Sequence, residues 1–129
     1  VRLEPAIAYR DALREMLRAD GLLLFQGSVC DHQVPAKIYE YYRAARPILA
    51  LVGPRGISAA MLREAGIEDL ANMADARQIA EVISAFLGKL RNGKAGGVAR
   101  DFATRNSRRS RTRELARLLD DLLATRKVR

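Results

Sequence analysis

Two short apolar runs, Leu22-Leu23-Leu24-Phe25 and Pro47-Ile48-Leu49-Ala50-Leu51-Val52, constrain this chain more than anything else in it. Neither contains a polar residue. Asp20-Gly21 bounds the first, and Gly53-Pro54-Arg55-Gly56 closes the second. A strand buried on both faces reads this way, although a short apolar run by itself also fits a segment of buried helix. The surroundings favour strands. Between the runs lies a polar stretch, Gln26–Val34, and then a helical pattern opened by Pro35 and running to about Ala45, with Ile38, Tyr41 and Tyr42 as apolar anchors. Pro at the first helical position has its backbone angle already set and gives up a donor that would have no partner there.

The same alternation extends in both directions. Val1–Leu3 is read as a short strand ahead of Pro5. Tyr9–Ala19 is a helix with Leu13, Met16 and Leu17 on one face, ended by Asp20-Gly21. After the second run, Ser58 is expected to cap a helix to about Ala65, with Gly66 ending it. Ile67–Ala71 reads as a weaker strand. Asp75 caps a long helix to about Arg91 that carries Ile79, Val82, Ile83, Phe86, Leu87 and Leu90 on one face. Asn92–Gly97 is a linker, and Ser107 or Ser110 opens a last helix with Leu115, Leu118, Leu119, Leu122 and Leu123. Short strands alternating with helices predict an α/β fold: a three-layer, Rossmann-like domain with a parallel sheet.

Composition bounds the chemistry. The 129 residues suit one domain with a real core. A single Cys excludes an intrachain disulfide framework, and with His32 as the only His, multi-His or multi-Cys metal sites are excluded too. The longest apolar runs fall far short of the ~20 residues of a membrane span, and no signal-peptide pattern is present. These features predict a cytoplasmic domain. The net charge is +8, and most of it lies beyond Arg100. That basic tail suits the phosphates of nucleic acid or of an anionic membrane, or simply a solvated helix face. Phe102 is its one aromatic, too few for a base-stacking surface.

In open parallel sheets, ligands sit beyond the carboxyl ends of the strands. Two loops qualify, Gln26–Val34 and Gly53–Ile57, the second bringing Arg55 to that edge. The first is richer, with Gln26, Ser28, Asp31, His32 and Gln33, and it leads into a helix amino end that attracts phosphate. Glu40 lies one and a half turns inside that helix. A carboxylate there can accept two hydrogen bonds from a sugar diol; the same spacing equally suits a Lys37–Glu40 surface pair worth a few tenths of a kcal/mol. His32 can donate to a sugar hydroxyl or phosphate, or be a solvated loop residue. Cys30 reads as a small apolar side chain rather than a nucleophile, because no group is positioned to orient His32 as its base. Neither a GxGxxG nor a Walker A motif is present.

Three segments carry a family resemblance: Ala19-Asp20-Gly21-Leu22-Leu23-Leu24, then Val34-Pro35-Ala36-Lys37-Ile38-Tyr39-Glu40-Tyr41, then Arg46-Pro47-Ile48-Leu49-Ala50. In this order the chain resembles the C-terminal, nucleotide-sugar-binding domain of a group 1, family 4-like retaining glycosyltransferase of the GT-B fold. The resemblance continues through Leu62–Gly66, the Asp75-led helix and the Leu-rich last helix. It implies that Glu40 matches the second Glu of the family's E-x7-E motif and holds the ribose of the donor. It also implies that Gln26, Gly27, His32 and Gln33, with Lys37, lie at the diphosphate or donor sugar. Where the family carries its first Glu, this chain has His32.

By the same resemblance, residues 1–129 are most of a C-terminal half-domain, without the N-terminal acceptor domain and the first strands. The chain alone is then expected to be inactive. Its expected partners are a nucleotide-diphosphate sugar, the absent N-terminal domain, the inner face of a membrane, and a second copy through exposed apolar surface; nucleic acid is not expected. No metal or other cofactor is expected, since such enzymes work by positioning the donor and stabilising the departing diphosphate. Two other readings stand beside this one: a non-enzymatic basic module that grips nucleic acid or an anionic membrane through the Arg-rich tail, and a purely structural fragment.

Overall fold

The computed structural model describes residues 2–126. Within them the order is α1 (Tyr9–Arg18), β1 (Leu22–Phe25), a 3-10 turn (Ser28–Cys30), α2 (Lys37–Ala44), β2 (Ile48–Val52), α3 (Ile57–Glu64), β3 (Leu70–Asn72), α4 (Ala76–Arg91), α5 (Arg100–Arg105) and α6 (Arg108–Arg126). The three strands form one parallel sheet in the order β1-β2-β3. Leu22 pairs with Ile48 and Leu24 with Ala50, while Ala50 pairs with Leu70. The expected α/β class with a parallel sheet is therefore present.

Strands added in one direction by crossovers of one hand lay their helices on one face of the sheet. Accordingly α2 and α3 share a core: Ile38 and Tyr42 from α2, Ala59 and Leu62 from α3, and Leu24, Ile48, Ala50 and Val52 from the sheet. Each fully buried Leu, Ile or Val here is worth about 1.5–3 kcal/mol of transfer free energy. On the opposite face, α4 packs against β2 and β3, and its Phe86 is buried. The central strand β2 is buried at every residue, whereas β1 alternates. Leu23 and Phe25 point to the α4 face but lie beyond its cover, so they are 40% and 59% exposed.

Local chemistry explains where the helices stop. Behind α3, Gly66 adopts φ +79°, its amide donates to the Arg63 carbonyl, and the Ile67 amide reaches back to Leu62. This is a Schellman closure, sealed by contact between Ile67 and Leu62, both in the core cluster. The α4 start is capped as expected, the Asp75 carboxylate accepting from the Gln78 amide at 3.0 Å.

Several expectations are corrected. Residues 2 and 3 of the proposed Val1–Leu3 strand are not in the sheet, and Leu3 is 92% exposed; Val1 lies outside the described residues. A strand needs a pairing edge, and this segment stays in solvent with Arg2 paired to Glu4. The third strand sits later than expected, at Leu70–Asn72, because Ile67 is used as a core plug at the α3 closure. Ser58 does not cap α3. Gly56 holds the cap position, and Ser58 lies buried inside the helix, donating to the Gln33 carbonyl.

The short α5 was not foreseen. It is held by tertiary contact rather than periodicity: the Phe102 ring meets Tyr42 edge-on at 5.5 Å, and Val98 just before it is buried. Of the two possible openings for the last helix, Ser107 is the one used, its hydroxyl accepting from the Ser110 amide. The leucines of α6 do not join the core. Leu115, Leu118, Leu119, Leu122 and Leu123 are each more than half exposed. No helix among the described residues is long and apolar enough to cross a membrane.

Candidate functional site

All three strands point the same way, so their carboxyl ends, at Phe25, Val52 and Asn72, define one edge. The loop leaving β1 is folded down onto the loop leaving β2. Gln26 is the brace: its side-chain amide donates to the Cys30 carbonyl at 2.7 Å and to the Gln33 carbonyl at 2.8 Å, and the residue is buried. The Ile57 amide donates to the Asp31 carbonyl, and the Ser58 hydroxyl to that of Gln33. The carboxylate of Asp31 fills the space left by the missing side chains of Gly53 and Gly56. It thereby stands at the amino end of α3, where a carboxylate complements the helix dipole.

These contacts make the two helix starts at this edge unlike each other. The α3 start is covered by the protein's own Asp31. At α2, Ala36 holds the cap position without a side-chain cap, and the Ala36 and Lys37 amides make no backbone hydrogen bond among the described residues. The Gln33 carbonyl, which stands four residues before Lys37, already accepts from Gln26 and Ser58. Free amides aimed outward at a helix start bind anions.

Glu40 lies one turn inside α2, and its partner comes from an unexpected quarter. The hydroxyl of Tyr9, the first residue of α1, donates to Glu40 Oε1 at 2.9 Å. The Lys37–Glu40 pair that the spacing allows is not formed among the described residues. The hydrogen bond to Glu40, and then its negative charge, hold the Tyr9 hydroxyl above the usual phenol range. Arg108 acts on the same hydroxyl in the opposite sense. Nearby, burial first and then the Glu40 charge raise the Tyr41 hydroxyl.

The other expected residues are distributed as follows. Lys37 and His32 are exposed at the edge, His32 in the turn after the 3-10 segment. Gln33 is exposed and contributes its carbonyl to the brace. Gly27 opens the 3-10 turn in an extended conformation with open space where a Cβ would be. Arg55 is exposed in the β2 loop. Glu40, Lys37 and the open start of α2 thus share one helix end, whereas Gln26 serves the loop from inside. Two surface concavities lie away from this edge, one along α1 and one at the opposite edge between Asp20, Arg46 and Leu90.

Sequence reasoning missed Tyr9 and Arg108. Tyr9 was read only as the start of a helix, and no motif ties it to Glu40, 31 residues away. Arg108 belongs to the basic tail, which no motif ties to this edge. In the fold α5 packs on α2, which brings the start of α6 back to Tyr9. Comparisons with protein-family models, with curated proteins and with solved structures find no match to this chain.

Proposed function

We propose that this chain is the nucleotide-sugar-binding part of a retaining glycosyltransferase of the GT-B type, taking up a nucleotide-diphosphate sugar at the carboxyl edge of its sheet. The observation that carries the reading is the pairing of an uncapped α2 start with a Glu40 carboxylate one turn below it. The open amides and Lys37 suit a diphosphate, and the carboxylate suits the ribose diol. His32 and Gln33, exposed at the same edge, are assigned to the donor sugar. Gln26 acts indirectly by holding the loop, and Gly27 by opening its turn. Transfer itself requires an acceptor-binding domain, whose contribution would meet this edge from the other side of the cleft.

In such a reaction the glycosidic bond to the diphosphate breaks as the acceptor oxygen bonds to the sugar. What this chain contributes is orientation and stabilisation of the departing diphosphate's charge. Titration of UDP-, GDP- and ADP-sugars into the chain tests the reading. Saturable binding that prefers one nucleotide, and weakens at least about tenfold in Glu40→Ala, supports it. No binding to any of them overturns it.

A second reading rests on α6, where five half-exposed leucines lie beside Arg108, Arg109, Arg113 and Arg117. This combination suits contact with an anionic membrane at the inner face of a cell envelope. Binding to anionic vesicles that falls steeply with salt, without any nucleotide preference, would favour that reading over the first.

A further inference from the structure

We propose that Tyr9 and Glu40 act together as a clamp for a vicinal diol, and that Tyr9 is the residue by which the site tells a ribonucleotide from its deoxy counterpart. The inference rests on the assignment of Glu40 to the ribose made above and adds a second ligand to it.

The argument is one of donors, acceptors and spacing. Tyr9 Oη and Glu40 Oε1 are 2.9 Å apart, a separation close to that between neighbouring hydroxyl oxygens on a sugar ring. The phenol O–H points at Oε1. The phenol oxygen therefore remains free to accept, and so do the lone pairs of the second carboxylate oxygen. A diol brings two donors to this pair of acceptors: one hydroxyl donates to Glu40, the other to Tyr9 Oη. Every proton in the arrangement has a partner, and Tyr9 need not move. With Glu40 alone, both hydroxyls would have to share one carboxylate.

The topology supports the pairing. Tyr9 opens α1 and Glu40 lies in the first turns of α2, so two separate elements present their side chains at one point near the ligand edge. Tyr9 is 65% exposed and contributes nothing to the buried core, so its position is not explained by packing. Arg108 adds a positive charge close to the same hydroxyl.

The discriminating measurement is the ratio of affinities for ribo- and 2′- or 3′-deoxynucleoside diphosphates, taken on the wild-type chain, Tyr9→Phe and Glu40→Ala. The wild type is expected to favour the ribonucleotide by about tenfold or more, since a site that hydrogen-bonds a hydroxyl rejects the analogue lacking it. Tyr9→Phe, which keeps the ring, should reduce that ratio several-fold for one of the two deoxynucleotides, the one lacking the hydroxyl that meets Tyr9, and leave the affinity for that analogue unchanged. Glu40→Ala should weaken the ribonucleotide in particular. If Tyr9→Phe leaves the ratio as it was while Glu40→Ala lowers it, the clamp is overturned and the ribose assignment of Glu40 stands. If the wild type binds none of these nucleotides, both fall. Because Tyr9 is exposed, its substitution leaves the core intact, and a thermal melt verifies this.

Discussion

The Asp31 carboxylate occupies the space that a side chain on Gly53 would need. A Cβ on Gly53 would overlap both carboxylate oxygens, and one on Gly56 would stand 2.9 Å from Oδ1. The two loops at the carboxyl edge of the sheet are therefore fitted to each other through one small acidic side chain and two glycines.

Gly53→Ala should force Asp31 out of this seat and cost about 1–3 kcal/mol. Because the conflict is between two side chains, Asp31→Ala in the same molecule should recover much of the loss. Chemical denaturation of the two single variants and the double variant measures the coupling. Simple additivity would mean that the two loops are not joined here.

Gln26→Ala should remove the brace of the first loop. Two carbonyls, those of Cys30 and Gln33, lose a donor, although Ser58 still reaches Gln33. The expected loss is about 1–3 kcal/mol. Hydrogen exchange should accelerate at Gly27–Val34 more than in β2, whose ladder does not use the Gln26 side chain. Uniform acceleration across the chain would contradict the local assignment.

Two residues that meet where α2 ends, Ala45 and Gly97, give opposite predictions. Ala45 closes α2 at φ 52°, a left-handed conformation that is costly for any residue with a Cβ. Ala45→Gly should therefore stabilise the chain by about 0.5–1 kcal/mol. Gly97 lies against the Ala45 carbonyl so closely that a Cβ would collide with backbone. Gly97→Ala should destabilise by about 1–3 kcal/mol, since backbone cannot rotate away as a side chain can. Denaturation midpoints of the two variants should move in opposite directions.

Stability should fall as pH rises above about 10. The Tyr42 hydroxyl is buried, donates to the Met61 carbonyl at 2.9 Å, and is raised well above its ordinary value, chiefly by burial. Tyr41 is raised more modestly, first by burial and then by Glu40. A phenol whose folded value is raised holds its proton more tightly in the folded state. Its contribution is complete below the unfolded value and is lost as pH rises from there toward the folded value. Denaturation midpoints measured from pH 8 to 11 should fall in the wild type and fall less in Tyr42→Phe. That variant should itself be about 1 kcal/mol less stable at pH 7, having lost the hydrogen bond from its hydroxyl to the Met61 carbonyl, which keeps only the Ala65 amide.

Much of this molecule is local and so legible in the residues. The apolar runs of β1 and β2, the Asp75 cap, the Gly66 stop and the helix beginning near Pro35 all follow from side-chain periodicity and backbone preference within a few positions. So does the parallel α/β class, because strands that alternate with helices have few other ways to bury both faces. Glu40 at a helix start beyond a strand end was legible for the same reason. What depended on residues far apart in sequence was not. In the strand-like Val1–Leu3 stretch, Arg2 and Leu3 pair with no edge of the sheet, and Ser58 has a capping side chain that a carbonyl of another loop claims instead. Gln26 carries a polar group suited to a ligand, yet its neighbours' carbonyls use it first. Tyr9 meets Glu40, and Arg108 comes near them, only because α1 and α5 pack against α2. Local pattern determined the elements, since each depends on its own few residues. Tertiary packing decided which polar groups were consumed by the fold and which remained exposed at the edge, since hydrogen-bond partners are settled by proximity in space.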